Sequence, residues 1–356
     1  MFLTQWMAAR QIVRESIEKM KKPLPLLILT LFLASGSGGA VALVIFPTLV
    51  FAQTDYVDQN GKLRIALNKQ PFVPRGTSQG PHTMANGGIQ DILKGMGAVI
   101  RITESRLTEE ENKEYGNWKR LGYALGHLGK AVEKNEEEGY FNIGFLGTCP
   151  SLPGMLAGLQ HSGSTPDEIK IGLLWLDAHG DFNTPETTRS GSLGGMPVAV
   201  ATGRCLHRMR LDAGLDPPIS ERHVVMGAVR LNDPLEQHML DQSYIQQLSV
   251  DDIRNITPAV YEQLDRLSQL CDKIYVHVDM DVLDPAEVPH HGNAVPDGPS
   301  SRELATLFKM IFSKYPKASA LGFATIPSND PNQVGLKAIH NMVVGAVEGL
   351  QMREGK

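Results

Sequence analysis

Two apolar runs that each break off into alternating acids constrain this chain more than anything else in it. Ile171-Gly-Leu-Leu-Trp-Leu176 runs directly into Asp177-Ala-His-Gly-Asp181. About a hundred residues on, Lys273-Ile-Tyr-Val276 leads through His277 into Asp279-Met-Asp281-Val-Leu-Asp284. Short apolar runs bounded by polar residues read as buried strands. The acids therefore stand where strands end, which is where open α/β sheets place their ligand sites. Carboxylates together with one imidazole are hard to borderline donors and suit Mn²⁺ better than a thiolate-rich zinc site would. The pattern points to a metal-dependent hydrolase.

The rest of the text alternates in the same way. Leu63–Leu67, residues 141–147, His223–Val229 and Ala318–Ile326 supply further strands. A Gly-rich turn over Gly76–Gly97 leads into a helix, and residues 104–138 are helix-friendly, with Leu121, Leu125 and Leu128 on one face. Ser301–Tyr315 and Gly335–Leu350 are helical in pattern. Strands alternating with helices predict an α/β fold, three-layer α/β/α around a central, mostly parallel sheet. One domain over residues 60–356 is expected, without internal repeats.

Composition narrows the partners. At 356 residues, 42% hydrophobic and 21% charged, the chain has the profile of a globular protein. A formal net charge of -5 and the lack of a Lys/Arg run give no footing for nucleic acid. Three cysteines, Cys149, Cys205 and Cys271, are too few for a disulfide framework. The N-terminus stands apart. Arg10, Arg14, Lys19, Lys21 and Lys22 face only Glu15 and Glu18, and no charged residue follows until Asp55. A basic flank before a long uncharged stretch predicts a signal peptide or membrane anchor over residues 1–52. The protein would then be exported or membrane-anchored, and cytoplasmic if the stretch is no targeting segment. The same stretch also reads as a strand pair interrupted by Ser35-Gly-Ser-Gly-Gly39.

Two long motifs carry a family resemblance over about residues 62–350. Asp177-Ala-His-Gly-Asp181, followed by Asn183-Thr-Pro185 and Ser190-Gly191, is one. His277-Val-Asp-Met-Asp-Val-Leu-Asp-Pro285, followed by Val295-Pro-Asp-Gly298, is the other. Both resemble the ureohydrolases (arginase, agmatinase, formiminoglutamase). The resemblance implies Mn²⁺, one or two ions or another divalent metal, held by Asp177, His179, Asp181, Asp279, Asp281 and the residue at Cys149. Asp177 and Asp279 would bridge two ions, His179 and Asp281 would complete one, and Asp181 would hold the other and handle a proton. Such a centre lowers the pKa of a shared water. The resemblance further implies that Asn183, Ser190 and Asp233 face the amino-acid end of a small-molecule substrate, and that chains assemble as trimers or hexamers.

Departures from the family pattern matter as much. Cys149 falls where the family carries its first ligand His, as in a branch that includes the hydroxyarginine amidinohydrolases. A Cys can ligate as a thiolate, though a soft one, or fill space as a small hydrophobe. Ala324 or Thr325 stands where arginases place a Glu against the guanidinium. Gly194 replaces the proton-shuttle His; His290 or His291 reads as a solvent-facing loop residue, the alternative being that one of them substitutes for the shuttle. The expected function is hydrolysis of a C–N bond in a guanidino, amidino or formimino compound. The alternative is a non-catalytic, membrane-tethered binding protein of the same fold.

Overall fold

The computed structural model describes residues 56–355 apart from 75, 164–168 and 327–329, together with two strands nearer the N-terminus. The chain divides into two units at Thr54/Asp55. In the first, β1 (Leu27–Ala34) and β2 (Ala42–Leu49) pair antiparallel, from Leu27 opposite Leu49 to Ala34 opposite Ala42. Where a membrane-spanning helix was one expectation for this stretch, its described backbone is a strand pair. Two apolar runs on either side of a Ser/Gly stretch are themselves a hairpin pattern. Among the described residues no helix is long and apolar enough to cross a membrane. The remainder of the targeting segment expected over residues 1–52 lies outside the described residues.

The second unit is built on one sheet. Its strands are β3 (Arg64–Gln70), β6 (Val99–Glu104), β7 (Phe141–Leu146), β8 (Ile171–Leu176), β9 (Val224–Gly227), β10 (Gln246–Leu248), β11 (Lys273–Asp279) and β12 (Ala318–Ala324). A small hairpin of β4 (Phe72–Val73) and β5 (Gly76–Thr77) lies apart from it. The order is β10-β9-β8-β11-β12-β7-β3-β6, and every neighbouring pair is parallel. The two-residue alternation of strands sorts side chains between two cores. On β11, Ile274, Val276 and Val278 join the helices Pro258–Leu270, Ser301–Lys314 and Val334–Arg353 on one face. Tyr275 points the other way, with Trp175 of β8, against the helices Asn117–Glu137, Leu152–His161 and Pro197–Ala201. The result is the three-layer α/β/α arrangement.

The two edge strands were not legible. β6 carries Arg101, Thr103 and Glu104, and β10 is three residues beginning Gln246-Gln247. An edge strand keeps one side wet and loses the apolar run that marks a central one. The expected helix over Gly76–Gly97 is two, Gly80–Asn86 and Ile89–Gly95, separated at Gly87-Gly88, where Gly88 has φ 93°. Only glycine takes that conformation without cost.

Helices Ser301–Lys314 and Val334–Arg353 approach closely because Gly345 presents no side chain. A Cβ there would lie 2.2 Å from the carbonyl oxygen of Ala305. Backbone cannot yield as a side chain can, so Gly345→Ala is expected to destabilise by about 2 kcal/mol or more, in the range of core overpacking. Urea unfolding measures it. An unchanged midpoint would show that the helix pair parts freely.

Candidate active-site cleft

β8 and β11 are neighbours, yet the chain leaves them in opposite directions: from β8 outward to β9 and β10, from β11 to β12. A crevice opens at such a switch point, outside the carboxyl ends of the strands. Both acid clusters empty into it. β8 ends at Leu176 and β11 at Asp279, so Asp177 and Asp279 stand at the sheet's rim. Cys149 arrives from the end of β7, opening a short 3₁₀ turn before helix Leu152–His161. A cleft of about 640 Å³ is lined by Cys149, Asp177, His179, Asp181, Asp279 and Asp281, and farther out by Asn183, Ser190 and Asp233. Every residue expected at the site from the sequence thus borders one cavity.

Among the described residues, three donor groups have ligand atoms within 4.8 Å of one another: Cys149–Asp177–Asp279, Asp177–His179–Asp281 and Asp279–Asp281–His291. Asp181 is outside these groups but in the cleft. The segment after β8 is not extended, as strict alternation of Asp177, His179 and Asp181 would have it; Asp181 sits at φ 49°. An Asp tolerates that left-handed conformation better than most residues, and the bend turns its carboxylate inward. Asp284, the last acid of the second cluster, instead accepts the backbone amides of Ala286 and Asp297 and ties a loop.

Backbone amides fix the carboxylates. Asp177 Oδ1 accepts the His179 amide at 2.7 Å, and Asp279 Oδ1 accepts the Asp281 amide at 3.0 Å. His179 Nδ1 lies 3.4 Å from Asp177 Oδ1 and 3.3 Å from Asp281 Oδ2. The Oδ2 atom of Asp177 is buried with no hydrogen-bond partner. A buried carboxylate oxygen with nothing to satisfy it is costly.

Electrostatics point the same way. Burial pushes the Asp177 and Asp181 carboxyls well up, helped by the charges of Asp279 and Asp281. Asp279 is pushed up to about 6 by burial and by Asp281. Burial opposes ionisation of Asp281 too, but the hydrogen bond and charge of His179 outweigh it and hold that carboxyl low. Burial also lowers His179, and its bond to Asp281 more than reverses this. Four buried aspartates around one imidazole repel one another. Carboxylate oxygens, one imidazole and an unsatisfied oxygen form a donor set that fits a hard or borderline divalent cation.

Cys149 is buried in the apolar cluster with Leu152 and Met155 and also borders the acids. Its Sγ donates to Asp279 Oδ2 at 2.5 Å, and burial together with Asp279, Asp177 and Asp181 drives its pKa far above that of an ordinary thiol. At the outer end, Asn183 Nδ2 donates to Asp233 Oδ2 at 3.5 Å, and Asp233 caps helix Pro234–Asp241. Ser190 is exposed and accepts the Ser192 amide within its own loop at 3.1 Å.

The chain's relatives can now be placed. The arginase-family sequence model matches residues 147–339. Arginase of Bacillus subtilis is 30% identical over 244 residues, 67% of this chain and 80% of that enzyme. The chain belongs to the arginase family. Arginase of Bacillus caldovelox is 28% identical over 246 residues, 67% of this chain and 81% of its own length. The solved B. subtilis arginase superposes with a TM-score of 0.69 at 25% identity, covering 80% of this chain and 98% of that one. Formimidoylglutamase of B. subtilis shares the fold at a TM-score of 0.62 and 16% identity, over 90% and 96% of the two chains.

Within that family frame, four residues that line the cleft or bond to its lining were not placed by the sequence. His291 is the main correction. Read from the sequence first as a solvent-facing loop residue and only second as a stand-in for the shuttle, it has a side chain only 7% exposed, with Nε2 3.9 Å from Asp279 Oδ1. His290 alone faces solvent. Two adjacent histidines in a polar loop carry no periodic signal that says which turns inward. Arg230 ties the site together through the carbonyls of Ala228, Asp281, Val295 and Pro296. Asn232 accepts the Gly180 amide and Glu236 the Phe182 amide, each at 2.7 Å. The Asn-Asp-Pro start of a helix was the one available signal for these last two.

Proposed function

We propose that this chain is a metal-dependent hydrolase that cleaves a C–N bond in a guanidino, amidino or formimino compound with an amino-acid-like end. One observation carries the reading: Asp177, Asp279 and Asp281 each belong to two of the three donor groups, and Asp177 keeps a buried oxygen unpaired. That is what a carboxylate shared between neighbouring cation positions requires. Asp177, His179, Asp279 and Asp281 would hold Mn²⁺ or a similar ion, with Asp181 and Cys149 on its flank. A divalent ion bound there supplies the Lewis acidity that makes water nucleophilic near neutral pH.

The remaining chemistry falls to side chains. Asp181, its pKa raised by burial and by Asp279, Asp281 and Glu236, is suited to take up a proton at its carboxylate and return it to the departing nitrogen. Asp233, Asn183 and Ser190 line the outer cleft and would orient the α-amino and α-carboxylate groups. With Thr325 rather than an acid at the inner wall, a cationic guanidinium gains no charge-assisted pair there. Formimino and amidino carbons are accordingly included in the substrate class. A small-molecule partner and assembly of several identical chains complete the reading.

The test is metal content and turnover of the full chain after incubation with Mn²⁺. Elemental analysis is expected to give one or two ions per chain, and a screen of guanidino, amidino and formimino amino acids is expected to release urea or ammonia from at least one. A folded protein that retains no ion and turns over nothing would move the chain to the non-catalytic reading.

A further inference from the structure

Cys149, at the family's His position, and Thr325, one of the two residues at its Glu position, meet on a single carboxylate. The Cys149 thiol donates to Oδ2 of Asp279 at 2.5 Å, and the Thr325 hydroxyl donates to Oδ1, where the Asp281 amide also donates at 3.0 Å. Behind Thr325 stands His291, with Nε2 3.2 Å from Thr325 Oγ1. The Asn293 amide points at the other ring nitrogen, Nδ1, at 3.3 Å. An Nδ1 that accepts leaves the proton of the neutral ring on Nε2, so Nε2 donates to Oγ1. The hydroxyl, having received that bond, has its own proton within reach of Asp279 Oδ1 and of the Ala324 carbonyl at 2.7 Å, and the carboxylate is the stronger acceptor of the two.

Thr325 is held there against its backbone preference. Its φ is 62°, a region where a β-branched residue is a genuine outlier. Such strain persists only where the surroundings impose it, and it clusters at functional sites. Here its amide is bonded to Leu146 O at 3.3 Å, at the end of β7, and its hydroxyl to Asp279.

The geometry points to His291 and Thr325 as positioning residues: an imidazole–hydroxyl–carboxylate relay that fixes the rotation of Asp279 for a divalent cation. His291 acts as donor through Thr325, not as a ligand, since a proton on Nε2 leaves that nitrogen no lone pair for a metal. This rests on the cleft being a cation site. Outer partners of metal-binding carboxylates set affinity without touching the ion.

Mn²⁺ binding to the full chain by calorimetry, with the visible absorption of bound Co²⁺ as a second readout, tests the relay. Thr325→Val removes the hydroxyl while nearly preserving shape, and His291→Phe removes the donor. Each is expected to weaken Mn²⁺ binding about 10–100-fold and to shift the Co²⁺ bands. Thr325→Ser and His291→Gln, which restore the hydroxyl and an N–H donor, are expected to recover most of the loss. Should His291→Phe fail to fold, as its thermal melt would show, Thr325→Val still reads the relay alone. Undiminished affinity in Thr325→Val overturns the relay. So does a loss confined to His291→Phe, which would make the imidazole a direct ligand. No Mn²⁺ bound by the unaltered chain is a separate result, and overturns the metallohydrolase reading itself.

Discussion

Asp181→Ala is expected to reduce kcat by about 10²–10⁴, the usual contribution of a positioned general acid–base group, while the fold survives or gains stability. Asp181 is 9% exposed, and its carboxyl is raised in pKa by burial and by three neighbouring acids. In the protein without added metal, removing it relieves like-charge repulsion rather than breaking a bond network. Asp181 is also outside the three tight donor groups, so most of the metal affinity should remain. Steady-state kinetics, with metal content measured on the same sample, separates the two effects. A variant that retains its ions and its full rate would remove Asp181 from the chemistry. One that loses its ions would make it chiefly a ligand.

The second large effect concerns pH and metal together. In the protein stripped by a chelator, Asp279 moves from the ordinary 3.8 to about 6 on folding, driven by burial and then by Asp281. A folded-state pKa raised this way means that the folded protein binds more protons than the unfolded chain between those values. The contribution, on the order of 1–3 kcal/mol, is present below about pH 4 and is lost as pH rises through about 6. Asp177 and Asp181 are raised in the same direction. Asp281, held low by His179 against its burial, acts oppositely and loses its contribution only as pH falls below the usual carboxylate range. The stripped protein is therefore expected to melt at a higher temperature at pH 5 than at pH 7.5. Mn²⁺ should reverse the order, because it binds the ionised carboxylates. At a hundredfold excess over Kd it adds about 2.7 kcal/mol, several degrees in Tm. Melting curves at the two pH values, with and without Mn²⁺, decide it. A metal-independent melt at pH 7.5 would mean that the four buried acids are not a cation site.

Much of this architecture was legible because central parallel strands bury both faces. Ile171–Leu176 and Ala318–Ala324 are buried at every position, and that demand is written directly as apolar runs. The edges β6 and β10 make no such demand, so they left no trace. The acids at the strand ends stood out because four aspartates have no other reason to follow buried strands so closely.

The amino-acid sequence by itself determined the α/β class and the strand ends at which Asp177, His179, Asp181, Asp279 and Asp281 stand, since both follow from local composition and spacing, and the likeness of its two acid motifs to known ones gave the family. The tertiary structure alone decided what surrounds Asp279. Cys149, Thr325 and His291 come from the ends of β7 and β12 and from a loop after β11, separated by 34 to 176 positions in the chain. Hydrogen-bond partners at such separations have no periodic signature. Whether a loop imidazole faces water or a carboxylate is settled only when the sheet brings those ends together.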